Sequence, residues 1–164
     1  MIINKETIYQ ADVSNRKLRV TREFDAPLEK VWRAWTEPAL LDQWWAPKPW
    51  KAFTISMDFQ EGGRWFYYME GPDGTRHYCL ADYLSINTNK SFSAEDAFCD
   101  EKGNVNDGLP RMKWKNAFSR RTDSTVVDID ISFAAEADMN KIIEMGFKEG
   151  FAAAHQNLDE LLAR

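Results

Sequence analysis

The chain has only two histidines and two cysteines in 164 residues, and that scarcity removes much chemistry at once. His77 and His155 lie far apart, with no H-E-x-x-H and no paired C-x-x-C, so a three-histidine zinc site is impossible and no metal is expected. The all-carboxylate option, Asp96 with Asp100 and Glu101, reads instead as a solvated loop. Cys79 and Cys99 read as free thiols, because no secretion leader accompanies them. Neither belongs to a Cys/His signature, and G-x-S-x-G is missing. The one glycine-rich stretch, EGGR (61–64), is too short to cradle phosphate and joins two strands, so no cofactor is expected. Positive charge is also short: 21 Lys and Arg against 26 Asp and Glu leave a net −5, which argues against nucleic acid. No run of 18 apolar residues occurs, so no membrane span is expected, and the expected location is the cytoplasm.

What is present is apolar and aromatic. Hydrophobic residues make up 44% of the chain and it holds seven tryptophans, three of them in LLDQWWAPKPW (40–50). The composition is that of one folded domain over 17–164, preceded by an extension or edge strand at 1–16 that carries Ile2, Ile3, Ile8 and Tyr9. LRVTREF (18–24) alternates as a strand. Pro27 suits a first helical position, and Leu28, Val31, Trp32 and Trp35 then share one helical face. After Pro38 a second short helix carries Leu40, Leu41, Trp44 and Trp45, and Pro47 ends it. The period then becomes two. Phe53, Ile55, Met57 and Phe59 share a strand face, as do Trp65, Tyr67 and Met69 after the EGG turn. GPDGT (71–75) is a hairpin turn. Further strands are expected at about 76–86, 91–98, 111–119 and 125–133, with a surface loop at 99–111. A long helix from Ala137 or Asp138 carries Ile143, Phe147, Phe151, Ala154, Leu158 and Leu161 on one stripe. Gly146 and Gly150 fall inside it, where each costs about 1 kcal/mol relative to Ala.

Polar groups stand on faces otherwise apolar. Asp96 lies in the series Phe92, Ala94, Asp96, Phe98, and Asn116 in the series Met112, Trp114, Asn116, Phe118. One of His77 and Tyr78 must face inward. A few polar groups in an apolar concavity fix a ligand's orientation, and a desolvated Asp96 would have a perturbed pKa. The plain alternative is a filled core in which these groups satisfy one another. Phe66 and Tyr68 should face away from the helix, either covered by a dimer or an N-terminal segment or standing as ordinary scattered exposed aromatics.

FDAPLEKVWRAWTEPALLDQWWAPKPW (24–50), MDFQEGGRWFYYMEGPDGT (57–75) and GFKEGFAAAHQNLDELL (146–162) together resemble bacterial proteins similar to the activator of the heat-shock-protein-90 ATPase, within the START-like, birch-pollen-allergen-like superfamily. The resemblance spans roughly 17–163. It implies a helix-grip fold with a cavity between a curved sheet and the long C-terminal helix. Ala46 stands where relatives usually have Gly, so the end of the second helix is expected to differ. The eukaryotic co-chaperone carries an asparagine- and tryptophan-rich contact motif that nothing here resembles. The resemblance therefore implies architecture, and superfamily members bind hydrophobic ligands, transfer lipids or catalyse cyclisations and hydrolyses.

The expected fold is therefore α+β: a curved antiparallel sheet of about six to seven strands around a C-terminal helix, with two short helices after the first strand. The expected function is binding of a small apolar or aromatic molecule. Met57, Trp65, Tyr67, Met69, Trp114, Phe147 and Phe151 would line the pocket, Trp44, Trp45 and Trp50 its mouth, and Asp96, Asn116 and His77 would be its polar handles. The alternatives are an enzyme on the same cavity, with Asp96 or His77 as acid/base, and a chaperone-interaction module on the outer sheet face including Phe66 and Tyr68.

Overall fold

The computed structural model describes residues 5–164; Ile2 and Ile3 of the N-terminal extension lie outside them. The elements in chain order are β1 (Ile8–Asp12), β2 (Lys17–Phe24), α1 (Leu28–Thr36), α2 (Pro38–Trp44), β3 (Lys51–Met57), β4 (Arg64–Glu70), β5 (Arg76–Asn87), β6 (Ser91–Cys99), β7 (Met112–Arg120), β8 (Thr125–Phe133), α3 (Glu136–Glu144) and α4 (Phe147–Leu162). The strands form one antiparallel sheet in the order β1-β2-β8-β7-β6-β5-β4-β3. It has eight strands where six to seven were expected, and the N-terminal segment supplies one edge strand, β1, paired along β2.

The inner face follows the period-two alternation. Leu18, Val20 and Phe24 of β2, Met112, Trp114 and Phe118 of β7, and Val127, Ile129, Ile131 and Phe133 of β8 are all buried. Phe151, Ala154, Leu158 and Leu162 of α4 complete the same core. Arg22 breaks the pattern, because its side chain points inward on β2 and is fully buried. It forms an ion pair with Asp159 of α4 and donates to the carbonyl of Glu23. Burial of that charge is tolerated because a carboxylate meets it.

Three local expectations change. Pro27 is the N-cap of α1 with extended backbone (φ −63°, ψ 152°), not its first helical residue. Phe53 and Ile55 do not share a face with Met57: a bulge between Thr54 and Ser56 shifts the register by one residue. A one-residue shift exchanges the faces, so Phe53 and Ile55 are exposed while Ala52 is buried. The C-terminal helix is broken, since Gly146 has φ +89° and separates α3 from α4. Ala46 is absent from the residues with positive φ, and Trp45 ends α2 in right-handed geometry, so Ala46 meets no left-handed strain.

Phe66, Tyr68 and Tyr78 lie on the outer face. Phe53 stacks on Tyr68 at 5.1 Å, Tyr78 approaches Tyr68 at 5.3 Å, and the Arg76 guanidinium sits 4.4 Å over Tyr68. Beside them Arg64 pairs with Asp82 (2.6 Å), and Arg111 with Asp82 (3.6 Å) and Glu95 (3.2 Å).

Candidate functional site

The α1–α2 corner sets one wall of an internal space. Trp44 and Trp45 are adjacent and so diverge around the helix. Trp44 turns fully inward, where its indole N–H donates to the Ala34 carbonyl at 2.8 Å. Trp45 leans the other way and donates to the Tyr67 hydroxyl at 3.0 Å. The C-terminal carbonyls of such a short helix need partners, and the buried Asn157 of α4 supplies them, donating to the Ala46 carbonyl at 3.0 Å and reaching that of Trp44 at 3.4 Å. This fastens the tryptophan pair to α4 and leaves Trp45 facing the sheet.

Between α4, the Trp45–Pro47 corner and the middle strands lies a cavity of about 190 Å³ that opens to solvent. Its walls are Tyr67 and Met69 of β4, Cys79 of β5, Asp96, Ala97 and Phe98 of β6, Met112 and Trp114 of β7, and Phe147, Gly150 and Phe151 of α4, with Trp45 and Pro47 at the corner. A smaller recess of about 40 Å³ extends inward, sharing Trp45, Tyr67, Asp96 and Trp114 with the main space. Trp35, Trp65, Tyr83, Phe92 and Asn116 line its far side. The aromatic walls are interlocked: Trp114 contacts Phe147 and Phe151 edge-on at 5.8 and 5.5 Å, and Phe147 stacks on Phe151 at 5.3 Å.

Asp96 stands where the two spaces join. One carboxylate oxygen accepts the Met112 backbone N–H and the other the Trp114 indole N–H, each at 2.9 Å. Burial nevertheless outweighs these bonds and raises its pKa to about 7. Burial raises the Cys79 thiol to about 12, so it stays protonated and a poor nucleophile. The Tyr67 hydroxyl is likewise held well above its ordinary range by burial. In the recess, the Trp35 indole N–H and the Asn116 carbonyl oxygen have no hydrogen-bond partner among the described residues. Cys79 and Cys99 are both free; they belong to neighbouring pairs of the β5–β6 ladder, Cys79 opposite Phe98 and Cys99 opposite Tyr78, and so project from opposite faces. No group of three or more His, Cys, Asp or Glu side chains among the described residues is placed to hold a metal ion.

The structure brings together Trp45, Tyr67, Met69, Asp96, Trp114, Phe147 and Phe151 around the main space, with Trp65 and Asn116 in the recess. Four expected positions lie elsewhere. Trp44 is spent in the core because its indole is taken by α1. Trp50 packs on Gly71 and faces His77 at 5.2 Å, beyond the cavity. Met57 follows the β3 bulge and pairs with Trp65 at the other end of that strand. His77 is the second residue of β5, at the exposed end of the sheet, and the inward residue nearest the cavity on that strand is Cys79, two positions on. Sequence reasoning missed Cys79 and Pro47, since neither type signals a pocket, and Asn157, whose amide reads as an ordinary polar residue in an amphipathic helix. His155, the other histidine, is buried beside Phe151 (4.1 Å) and bonded to Thr7 at 2.9 Å; burial lowers its pKa to about 3, so it stays neutral.

Comparison with known proteins agrees with the fold. No curated protein matches the chain. Solved structures do. A protein of Arthrobacter aurescens is 31% identical with a TM-score of 0.90, over 95% of this chain and 91% of that one. Ms6760 of Mycobacterium smegmatis is 28% identical with a TM-score of 0.88, over 96% and 97% of the two chains. A Staphylococcus epidermidis protein is 26% identical with a TM-score of 0.83, over 94% and 93%. The model of the family described as activator of Hsp90 ATPase homolog 1-like protein matches residues 25–163, so the chain belongs to that family.

Proposed function

We propose that the protein binds a small hydrophobic or aromatic molecule in the cavity between the sheet and α4. The observation that carries this reading is the solvent-open, aromatic-walled space of about 190 Å³ with one carboxyl group in its wall. A dry apolar cavity of about 150 Å³ accepts benzene, so single-ring compounds match the volume, whereas a sterol would require the walls to part. The test is a thermal-shift screen against small phenolics, aromatic polyketide-like compounds, fatty acids and sterols. A ligand at 100 times its dissociation constant adds about 2.7 kcal/mol, which is a rise on the order of 5–10 °C for a domain of this size. The expected outcome is a rise with single-ring aromatics that Trp114→Ala abolishes. A clean melt unmoved by every class would refute the reading.

A second reading, an enzyme on the same cavity, is favoured by one observation: the Asp96 carboxyl is held near 7 by burial, where a general acid or base works best. Under that reading Asp96→Asn retains ligand binding and loses turnover. Equal turnover in the variant would exclude Asp96 as the acid/base.

A further inference from the structure

Asp96 is a buried carboxyl with no ion-pair partner among the described residues, and the positive charge that acts on it, Arg111, does so from beyond ion-pair distance. Arg111 reaches only its backbone carbonyl (3.3 Å), and the guanidinium is engaged with Glu95 and Asp82 on the outer face. An ionised carboxylate offers about four acceptor positions; Met112 and Trp114 use two. The remaining capacity lies at the junction of the cavity and its recess, where Trp45 and Trp114 are walls of both spaces. Aromatic faces attract an ammonium group, more strongly when water is excluded, and an unpaired buried carboxylate is costly until a cation meets it.

We propose that the ligand is a small hydrophobic amine, its ammonium against the Asp96 carboxylate and its apolar body among Trp45, Trp114, Phe147 and Phe151. The proposal rests on the cavity being a ligand site and adds the sign of the ligand's charge. An anionic ligand would meet a carboxylate and no cation. A neutral ligand would use Asp96 as a protonated donor, or not at all, in which case the carboxyl serves only to hold Trp114 and the start of β7. The other titratable groups around Asp96 are Tyr67 of β4, Cys79 of β5, and Glu95 and Arg111 on the outer side, while α4 presents only Phe147, Gly150 and Phe151. Burial keeps Tyr67 and Cys79 protonated through neutral pH, so a change in amine affinity between acid and mildly alkaline pH reports Asp96.

Calorimetric titration with phenethylamine, phenethyl alcohol and phenylacetate separates these cases. At about pH 8.5 the amine is expected to bind about tenfold more tightly than the alcohol, and phenylacetate weakest. At about pH 5.5, with the amine still cationic and Asp96 protonated, that advantage is expected to fall by about tenfold. Asp96→Asn should abolish the preference at the higher pH; should the variant fail to fold, the pH comparison on the native chain decides alone. Equal binding of amine and alcohol, or tighter binding of phenylacetate, overturns the amine proposal and leaves the apolar cavity standing. Binding of none of the three overturns the amine proposal, and the cavity reading falls with it when the screen of every ligand class also leaves the melt unmoved.

Discussion

Asp96 and His155 are buried ionisable groups whose pKa values move in opposite senses. Burial raises Asp96 from 3.8 to about 7, so between those values the folded state binds more protons and stability falls as pH rises. Burial lowers His155 from 6.5 to about 3, so between those values the unfolded state binds more protons and stability falls as pH drops. Over the shared window, from about pH 4 to 6.5, the two slopes oppose each other and should nearly cancel. Asp96→Asn is expected to unmask the His155 slope. Relative to the native chain, the variant should lose stability on acidification from about pH 6.5 to 4, with a difference on the order of 1 kcal/mol per pH unit. Urea melts of both proteins across that range check this, and parallel profiles would contradict the assignment.

The break between α3 and α4 turns on one residue. Read as a continuous helix, the segment makes Gly146→Ala stabilising, because Ala outranks Gly in a helix interior. With Gly146 at φ +89°, the same change is expected to cost about 1 kcal/mol, because a Cβ disfavours that conformation. The sign of the shift in denaturation midpoint therefore distinguishes the two. Gly150 lies within α4, and an added Cβ would meet only the Pro47 ring at 3.8 Å, an ordinary contact. Gly150→Ala should stabilise by about 0.5–1 kcal/mol. It should also weaken ligand binding, because Gly150 and Pro47 both line the cavity. A melt and a titration on this single variant should move in opposite directions.

Across the whole molecule α4 is held to the sheet by apolar packing and by one buried ion pair, Arg22 with Asp159. Removing one partner leaves an uncompensated charge in the core, so Asp159→Ala is expected to cost about 3–5 kcal/mol. Exposed pairs such as Lys48–Glu160 should be worth well under 1 kcal/mol by the same denaturant titration. Replacing both Arg22 and Asp159 with apolar residues should recover much of the loss, since the pair's desolvation is itself costly.

Much of this architecture is written in local pattern. The alternation of Val127, Ile129, Ile131 and Phe133, the GPDGT turn and the apolar stripe of α4 are short-range properties; the strand and the turn formed where the pattern placed them, while the single helix expected from the stripe formed as α3 and α4. The inward orientation of Asp96, Asn116, Trp65, Tyr67 and Met69 followed from the same alternation. Tertiary structure alone decided whatever depends on groups distant in sequence. The β3 bulge sent Phe53 outward and left Met57 beyond the cavity. The Ala34 carbonyl claimed Trp44, and Asn157 anchored the helix end that aims Trp45. Arg22 could be buried only because Asp159 faces it. A strand's period fixes which side a residue points to; whether that side is filled, open or solvated depends on which elements cross above it. His77 shows the difference: it has the inward parity of Cys79, yet it stands exposed at the end of the sheet, where no helix covers it.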